Sequence, residues 1–419
     1  MEKVQEIALA VQGNKYLKSI SNGLMALLPI LMIGSLALLV AVLPIPGWAD
    51  ILNNAGIRPY LMAASTLTTS CMTVYAVFMI AYRLADEFQE GGLPAGLISL
   101  FAFLIVTPMA NVEGTNYLDI GWLGAKGLFT GMIVSLVATR LYVLFKQKGF
   151  TIKMPESVPP VVSTTFSSLF PAIMAGCIFV VVAVMFSFTP WGSFAEMVYA
   201  ILAAPLQSLS NNVFSLLVLV LFQMFLWFFG IHGSLVISAF INALYLPLDT
   251  IQMEAMAAGI PNSQLPNILG KTFYSLFAGI GGAGGTLSLC ILLVFFCKAE
   301  KHKAIGKLSL VPGCFTINEP VVFGMPMVLN PLMAVPFITV PLVQVAVAYG
   351  AMAIGLVPKL SGVQVPFGMP VVASGFIAGG WRVALLQVVL VLIGCAMYLP
   401  FLKKADAMAV KEERQEQDD

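Results

Sequence analysis

The chain has 419 residues, 59% of them hydrophobic and only 10% charged, with a mean hydropathy of +0.94 and a formal net charge of +1. Soluble domains carry roughly one-quarter charged residues, so this composition predicts an integral membrane protein and leaves no stretch for a second soluble domain. Repeated apolar runs of about 20 residues exclude a single anchor and the weak alternation of a β-barrel, and the near-neutral charge argues against nucleic acid as a partner.

Val4, Ile7, Ala8 and Val11 recur at helical spacing beside Lys3, Lys15 and Lys18, which predicts a short amphipathic helix over 1–18 lying on membrane lipid at the inner face. The run 20–44 is too long for a secretory-signal core and lacks a small-residue cleavage site, so it reads as a span with no targeting segment removed. Further spans are expected at 61–82, 95–110, 128–145 and 167–188. A linker with Pro159 and Pro160 precedes the last of these, and the Ala- and Pro-rich stretch 191–210 is expected along the outer surface. The second half is less regular, with spans expected at 213–229, 235–246 (short), 273–296, 332–354 and 371–401, and a re-entrant segment at 312–331.

This reading gives an all-α polytopic protein with about ten crossings. With the N-terminus inside, Lys and Arg concentrate on the inner side: only Arg58, Lys126, Lys271 and Lys359 fall outside, and Arg382 within the last span. Both termini are then cytoplasmic. The expected divisions are a five-span half (1–190), a half with broken helices (191–402), and a charged cytoplasmic tail (403–419) that is solvated and disordered.

Candidate chemistry sits at the breaks. His232 lies in WFFGIHGS between Gly230 and Gly233, where it either meets a ligand or caps a broken helix against a carbonyl. GIGGAGGT (279–286) falls inside an expected span, as a close-packing surface or a ligand lining that would include Thr286. Glu319 follows Asn318 in PGCFTINEPVVFGMPMVLNP, whose glycines and prolines make a straight span a poor reading. A carboxylate at membrane depth is costly without a task or a partner, so Glu319 is the candidate for meeting a polar ligand. FGMP occurs at 323–326 and again at 367–370, as a flag of a substrate region or a chance recurrence. Arg382 either pairs with a carboxylate or snorkels to an interface. The six cysteines contain no C-x-x-C pair and read as small apolar fillers, Cys314 included, so neither a metal site nor a disulfide framework is expected.

The joint presence of GIHG and NEP-x-x-F-G-x-P-x-x-x-N-P resembles the membrane component, EIIC, of the lactose/cellobiose family of the bacterial phosphotransferase system. The resemblance covers nearly the whole chain. It implies ten spans, both ends inside, a homodimer formed through the first half, and location in the bacterial inner membrane. It also implies a sugar site near the midplane using His232, Asn318 and Glu319. A sugar site needs aromatic walls beside its polar groups, so Trp227 or Trp381 is a candidate for a ring face, and Glu319 is the candidate general base for a sugar hydroxyl. The phosphoryl donor would be a phosphocysteine on a separate EIIB protein, supplied by EIIA, the histidine phosphocarrier protein and enzyme I. No cofactor is expected. The substrate class is a sugar, with cellobiose, chitobiose, lactose or a monosaccharide derivative all open. The rival readings are an ion-coupled secondary transporter with Glu319 as proton or cation site, and a membrane sugar sensor.

Overall fold

The computed structural model describes residues 13–41, 47–152, 154–155, 158–325, 327–366 and 368–418. Most of the expected N-terminal surface helix therefore lies outside the described residues, as do Pro326 and Phe367, one from each copy of FGMP. Among the described residues the only β-structure is an antiparallel hairpin, Met109–Val112 with Thr115–Leu118, turned through Glu113 (φ 51) and Gly114 (φ 81). Two successive left-handed residues match the twist of paired strands.

Six helices are long and apolar enough to cross a membrane, or up to eight if each of two bent helix pairs is one span. Several of them carry apolar residues on every side: the exposed surface of the helix Pro160–Ser187 includes Ile173, Val181, Val184 and Met185. In water that arrangement would be unstable; against hydrocarbon it is what a span requires.

The chain divides into two compact units. One holds the described residues up to Leu209 together with Ala239–Ala257. Its core is built on the helix Met72–Glu87, whose Met72, Ala76 and Ile80 pack with Leu24, Leu27, Leu128, Phe129 and Met132. The spacing of the three places them on one helical face. The other unit holds Ser210–Ser238 and Ala258–Asp419. Its helices start at side-chain caps where the sequence offers them: Asn212 accepts from the Phe214 amide, and Asn330 accepts from Leu332 and Met333 just ahead of Pro331.

Four expectations are corrected. The short span at 235–246 is a 25-residue helix, Gly233–Ala257, with Pro247 inside it. Asp249, Thr250 and Gln252 beyond the expected end are buried, and the Thr250 hydroxyl lies against the Leu246 carbonyl. The span at 273–296 is broken into Lys271–Phe277 and Leu287–Phe295 by the glycine stretch. The last span is broken at Gly380 (φ 80) into Ala373–Gly379 and Trp381–Asp418, which puts Arg382 in the first turn of the second piece, over the Trp381 ring.

The fourth correction concerns the charged tail, whose described part is a helical continuation rather than a disordered run. Asp406 and Glu413, seven residues apart and so on one face, turn toward the start of the helix Glu300–Cys314. Asp406 accepts from the amides of Lys298 (2.7 Å) and Ala299 (3.1 Å), and Glu413 from those of Glu300 (3.1 Å) and Lys301 (2.9 Å). The amides at a helix start have no partner within the helix, and here a distant segment supplies the acceptors. His302 Nδ1 lies 2.9 Å from the same Asp406 carboxylate, and both residues are buried.

Asp406→Ala should therefore destabilise the protein by about 3 kcal/mol, the combined effect of a lost cap and buried donors left unpaired. The thermal midpoint of the detergent-purified protein should fall by several degrees, and Asp406→Asn, with one acceptor oxygen, should recover only part. Unchanged melting of the alanine variant would show that the clamp contributes nothing.

Candidate functional site

Two helices end at the site in the same way. The helix Val213–Phe228 closes with the Ile231 amide on the Leu226 carbonyl (2.9 Å) and the Gly230 amide on Trp227 (3.0 Å), with Gly230 left-handed at φ 81. The helix Glu300–Cys314 closes with Ile317 on Pro312 (3.0 Å) and Thr316 on Gly313 (3.1 Å). Both are Schellman ends, which place one residue in the left-handed region and usually take glycine there. In the second the position falls to Thr316 at φ 64. A β-branched residue in that conformation stores on the order of 1–3 kcal/mol of strain, two residues ahead of Asn318.

The two glycines of GIHG thus do different things. Gly230 provides the turn; Gly233 provides contact, since a Cβ there would sit 2.2 Å from the Gln223 carbonyl oxygen and 3.0 Å from Trp227 Cδ1. Between them His232 starts the next helix. Its Nδ1 lies 3.3 Å from the Leu235 amide, so Nδ1 acts as acceptor and a neutral ring carries its proton on Nε2. The histidine caps a helix break and also lines a cavity, with its ring 4.4 Å from that of Trp227.

The glycine stretch forms the floor. Gly281, Gly282, Gly284 and Gly285 are all left-handed, the Thr286 hydroxyl donates to the Gly281 carbonyl (2.7 Å), and the Tyr398 hydroxyl donates to Gly284 (2.7 Å). Onto this loop the buried Asn318 is pinned, its Nδ2 donating to the Ala283 carbonyl at 3.0 Å. Gly282 leaves the room for it, because a Cβ at that position would lie 2.5 Å from Asn318 Cγ. Glu319 follows at the first turn of a short helix, Glu319–Gly324; it is exposed, and its carboxylate has no side-chain partner among the described residues.

These pieces enclose a cavity of about 240 Å³ lined by Gln223, Trp227, His232, Ser234, Tyr274, Thr316, Asn318 and Glu319, with Gly279 and Gly282 below. That is a little under the roughly 300–1,000 Å³ of typical small-molecule sites, with the same recipe of aromatic walls and a few convergent polar groups. Of the residues singled out in the sequence, His232, Asn318, Glu319 and Trp227 come together here. Thr286 is buried beneath the loop, and Trp381, largely exposed at a helix start, does not line this cavity. Gln223, Ser234 and Tyr274 were missed. Gln223 had a signal, being the one amide side chain in the apolar run VFSLLVLVLFQMFLWF, whose other polar residue is Ser215 near its start.

Among the described residues one other cluster has the side chains for a cation, Cys297 with His302 and Asp406. Asp406 is already engaged by two amides and the imidazole, at a positively polarised helix start. Burial and then the Asp406 charge push the Cys297 thiol up to about 12, so it stays a thiol and the cluster reads as a cap.

A profile of the family described as "Phosphotransferase system, EIIC" matches residues 21–341. The chain belongs to the EIIC family. It is 37% identical, over 99% of its length and 95% of the relative's, to the "PTS system cellobiose-specific EIIC component" of Geobacillus stearothermophilus. It is 32% identical, over 99% and 96%, to the "PTS system oligo-beta-mannoside-specific EIIC component" of Bacillus subtilis (strain 168). The crystal structure of ChbC, the IIC component from the N,N'-diacetylchitobiose-specific phosphotransferase system, superposes with a TM-score of 0.91 at 34% identity, covering 99% of this chain and 98% of that one. This EIIC is accordingly a sugar permease subunit of a phosphotransferase system and a multi-pass protein of the bacterial cytoplasmic membrane. The ion-coupled and sensor readings that Glu319 alone left open give way to it.

Proposed function

We propose that this EIIC imports a β-linked disaccharide, of the kind for which its relatives are named, and that the sugar is phosphorylated as it enters. The observation that carries the reading is the meeting of His232, Asn318 and Glu319 with the Trp227 and Tyr274 rings around one cavity. Sugar hydroxyls call for convergent donors and acceptors, and the apolar faces of the rings call for aromatic walls. In this scheme His232 donates from Nε2 to a sugar oxygen, and Asn318, held by the Ala283 carbonyl, positions the hydroxyl that reacts. Glu319 takes that hydroxyl's proton as its oxygen attacks the phosphorus of a phosphocysteine on an EIIB protein. The new O–P bond forms, the S–P bond breaks, and the cysteine leaves as thiolate.

The same proposal includes ten crossings with both termini cytoplasmic, the broken spans being counted among them. It includes a homodimer through the first half, lipid around the apolar helix faces, transport by the second half, and EIIA, the histidine phosphocarrier protein and enzyme I upstream of EIIB. Membrane vesicles should accumulate phosphorylated cellobiose or diacetylchitobiose from a panel of labelled mono- and disaccharides, and only with phosphoenolpyruvate and the soluble carriers present. Accumulation of a monosaccharide alone would overturn the disaccharide assignment.

A further inference from the structure

The polar residues that the sequence did not flag form a hydrogen-bonded chain beside His232. Ser234 Oγ accepts from Gln223 Nε2 at 2.8 Å and from the indole Nε1 of Trp227 at 3.2 Å. Both lone pairs of Ser234 Oγ are thus engaged by donors from the preceding helix. Tyr274 in turn donates to Gln223 Oε1 at 2.8 Å, which fixes the orientation of the amide. The bonds run from Tyr274 through Gln223 to Ser234, and the indole of Trp227 hangs from the same serine oxygen.

Three further facts tie this chain of bonds to the site. All four side chains line the cavity that His232 and Glu319 line. The tethered indole stands 4.4 Å from the imidazole, so the place of one ring limits the other. Gly233, by admitting no side chain, brings the Ser234 turn against the helix carrying Gln223 and Trp227. Apolar residues would hold these helix ends together as well, whereas a hydrogen-bonded polar chain fixes one arrangement of the groups attached to it.

We propose that Gln223, Ser234 and Tyr274 are positioning residues for the sugar site: the hydrogen-bonded chain they form locks Trp227 against His232 and so aims the imidazole Nε2 proton into the cavity. The proposal rests on the sugar reading of that cavity, but its geometric core does not need a sugar to be tested.

The test uses the full-length protein with Trp48, Trp122, Trp191 and Trp381 replaced by phenylalanine, leaving Trp227 as the reporter. Ser234→Ala leaves the indole and amide donors unpaired; Ser234→Thr keeps the hydroxyl. The alanine variant should shift the Trp227 emission maximum, increase its quenching by acrylamide, and weaken binding of cellobiose or diacetylchitobiose by roughly tenfold, the equivalent of one unpaired buried donor. The phosphorylation rate at saturating sugar should stay within about twofold, since the reacting groups are untouched. The threonine variant should restore emission and affinity, and Tyr274→Phe combined with Ser234→Ala should be no worse than Ser234→Ala alone. An unmoved Trp227 spectrum in the alanine variant, equal behaviour of alanine and threonine, or additive losses in the double variant would overturn the proposal. Failure of the parent protein to bind either sugar would instead sink the sugar reading, and the emission comparison alone would then decide whether the chain of bonds positions Trp227.

Discussion

Glu319→Gln should lower sugar phosphorylation by at least about a hundredfold while leaving sugar affinity within a few-fold of the parent. The amide preserves the shape of the side chain and its place in the first turn of the 319–324 helix, but it cannot take the proton that the attacking hydroxyl must lose. General-base contributions of roughly 10²–10⁴ set the scale of the loss. The carboxylate is exposed and free of side-chain partners among the described residues, so the substitution breaks no internal ion pair and the fold should be unaffected. Phosphorylation is read with purified EIIB phosphate and labelled sugar, and affinity by calorimetry without the donor. A glutamine variant that phosphorylates at the parent rate would take the base role away from Glu319; one that loses binding as well would recast it as a binding residue.

Gly282→Ala should weaken sugar binding by about tenfold or more although no glycine side chain touches a ligand. At φ 100 an alanine is strained, and its Cβ would sit 2.5 Å from Asn318 Cγ, closer than any packed carbon tolerates. Asn318 must move, and with it the hydrogen bond to Ala283 and the neighbouring Glu319. Gly279→Ala is the control: it is also at the cavity, but its Cβ would meet the Gly282 carbonyl at a near-tolerable 3.3 Å. Equal, small effects of the two substitutions would show that the loop does not set the position of Asn318.

The membrane class, and the residues that meet around the cavity, were legible because each rests on a local signal. Apolar runs record spans directly, and GIHG and NEP are short motifs that put polar side chains between apolar runs. The breaks were harder. Residues 279–286 are small and apolar enough to continue a span on hydropathy, and only the backbone reveals four left-handed glycines in a row of eight. The opposite error occurred past 246, where the expected span stopped, yet the helix runs on to Ala257 with Asp249, Thr250 and Gln252 buried. Gln223, Ser234 and Tyr274 belong to three separate segments, and their pairing follows from the fold alone. The acidic tail misled for a related reason: its sequence resembles a solvated run, while the i, i+7 placement of Asp406 and Glu413 is visible only once the start of the 300–314 helix is seen opposite them.

That last contact fixes an order of events during synthesis. The amide of Lys298 waits for an acceptor 108 residues further along the chain, and at the 5–20 residues per second of translation the wait is on the order of ten seconds. Throughout it, the start of the helix that leads to Asn318 and Glu319 has no acceptor from Asp406 or Glu413. The segment cannot settle until synthesis has passed residue 406, so a nascent chain stalled short of it would hold every residue of the cavity and still lack the clamp that steadies the helix running up to it.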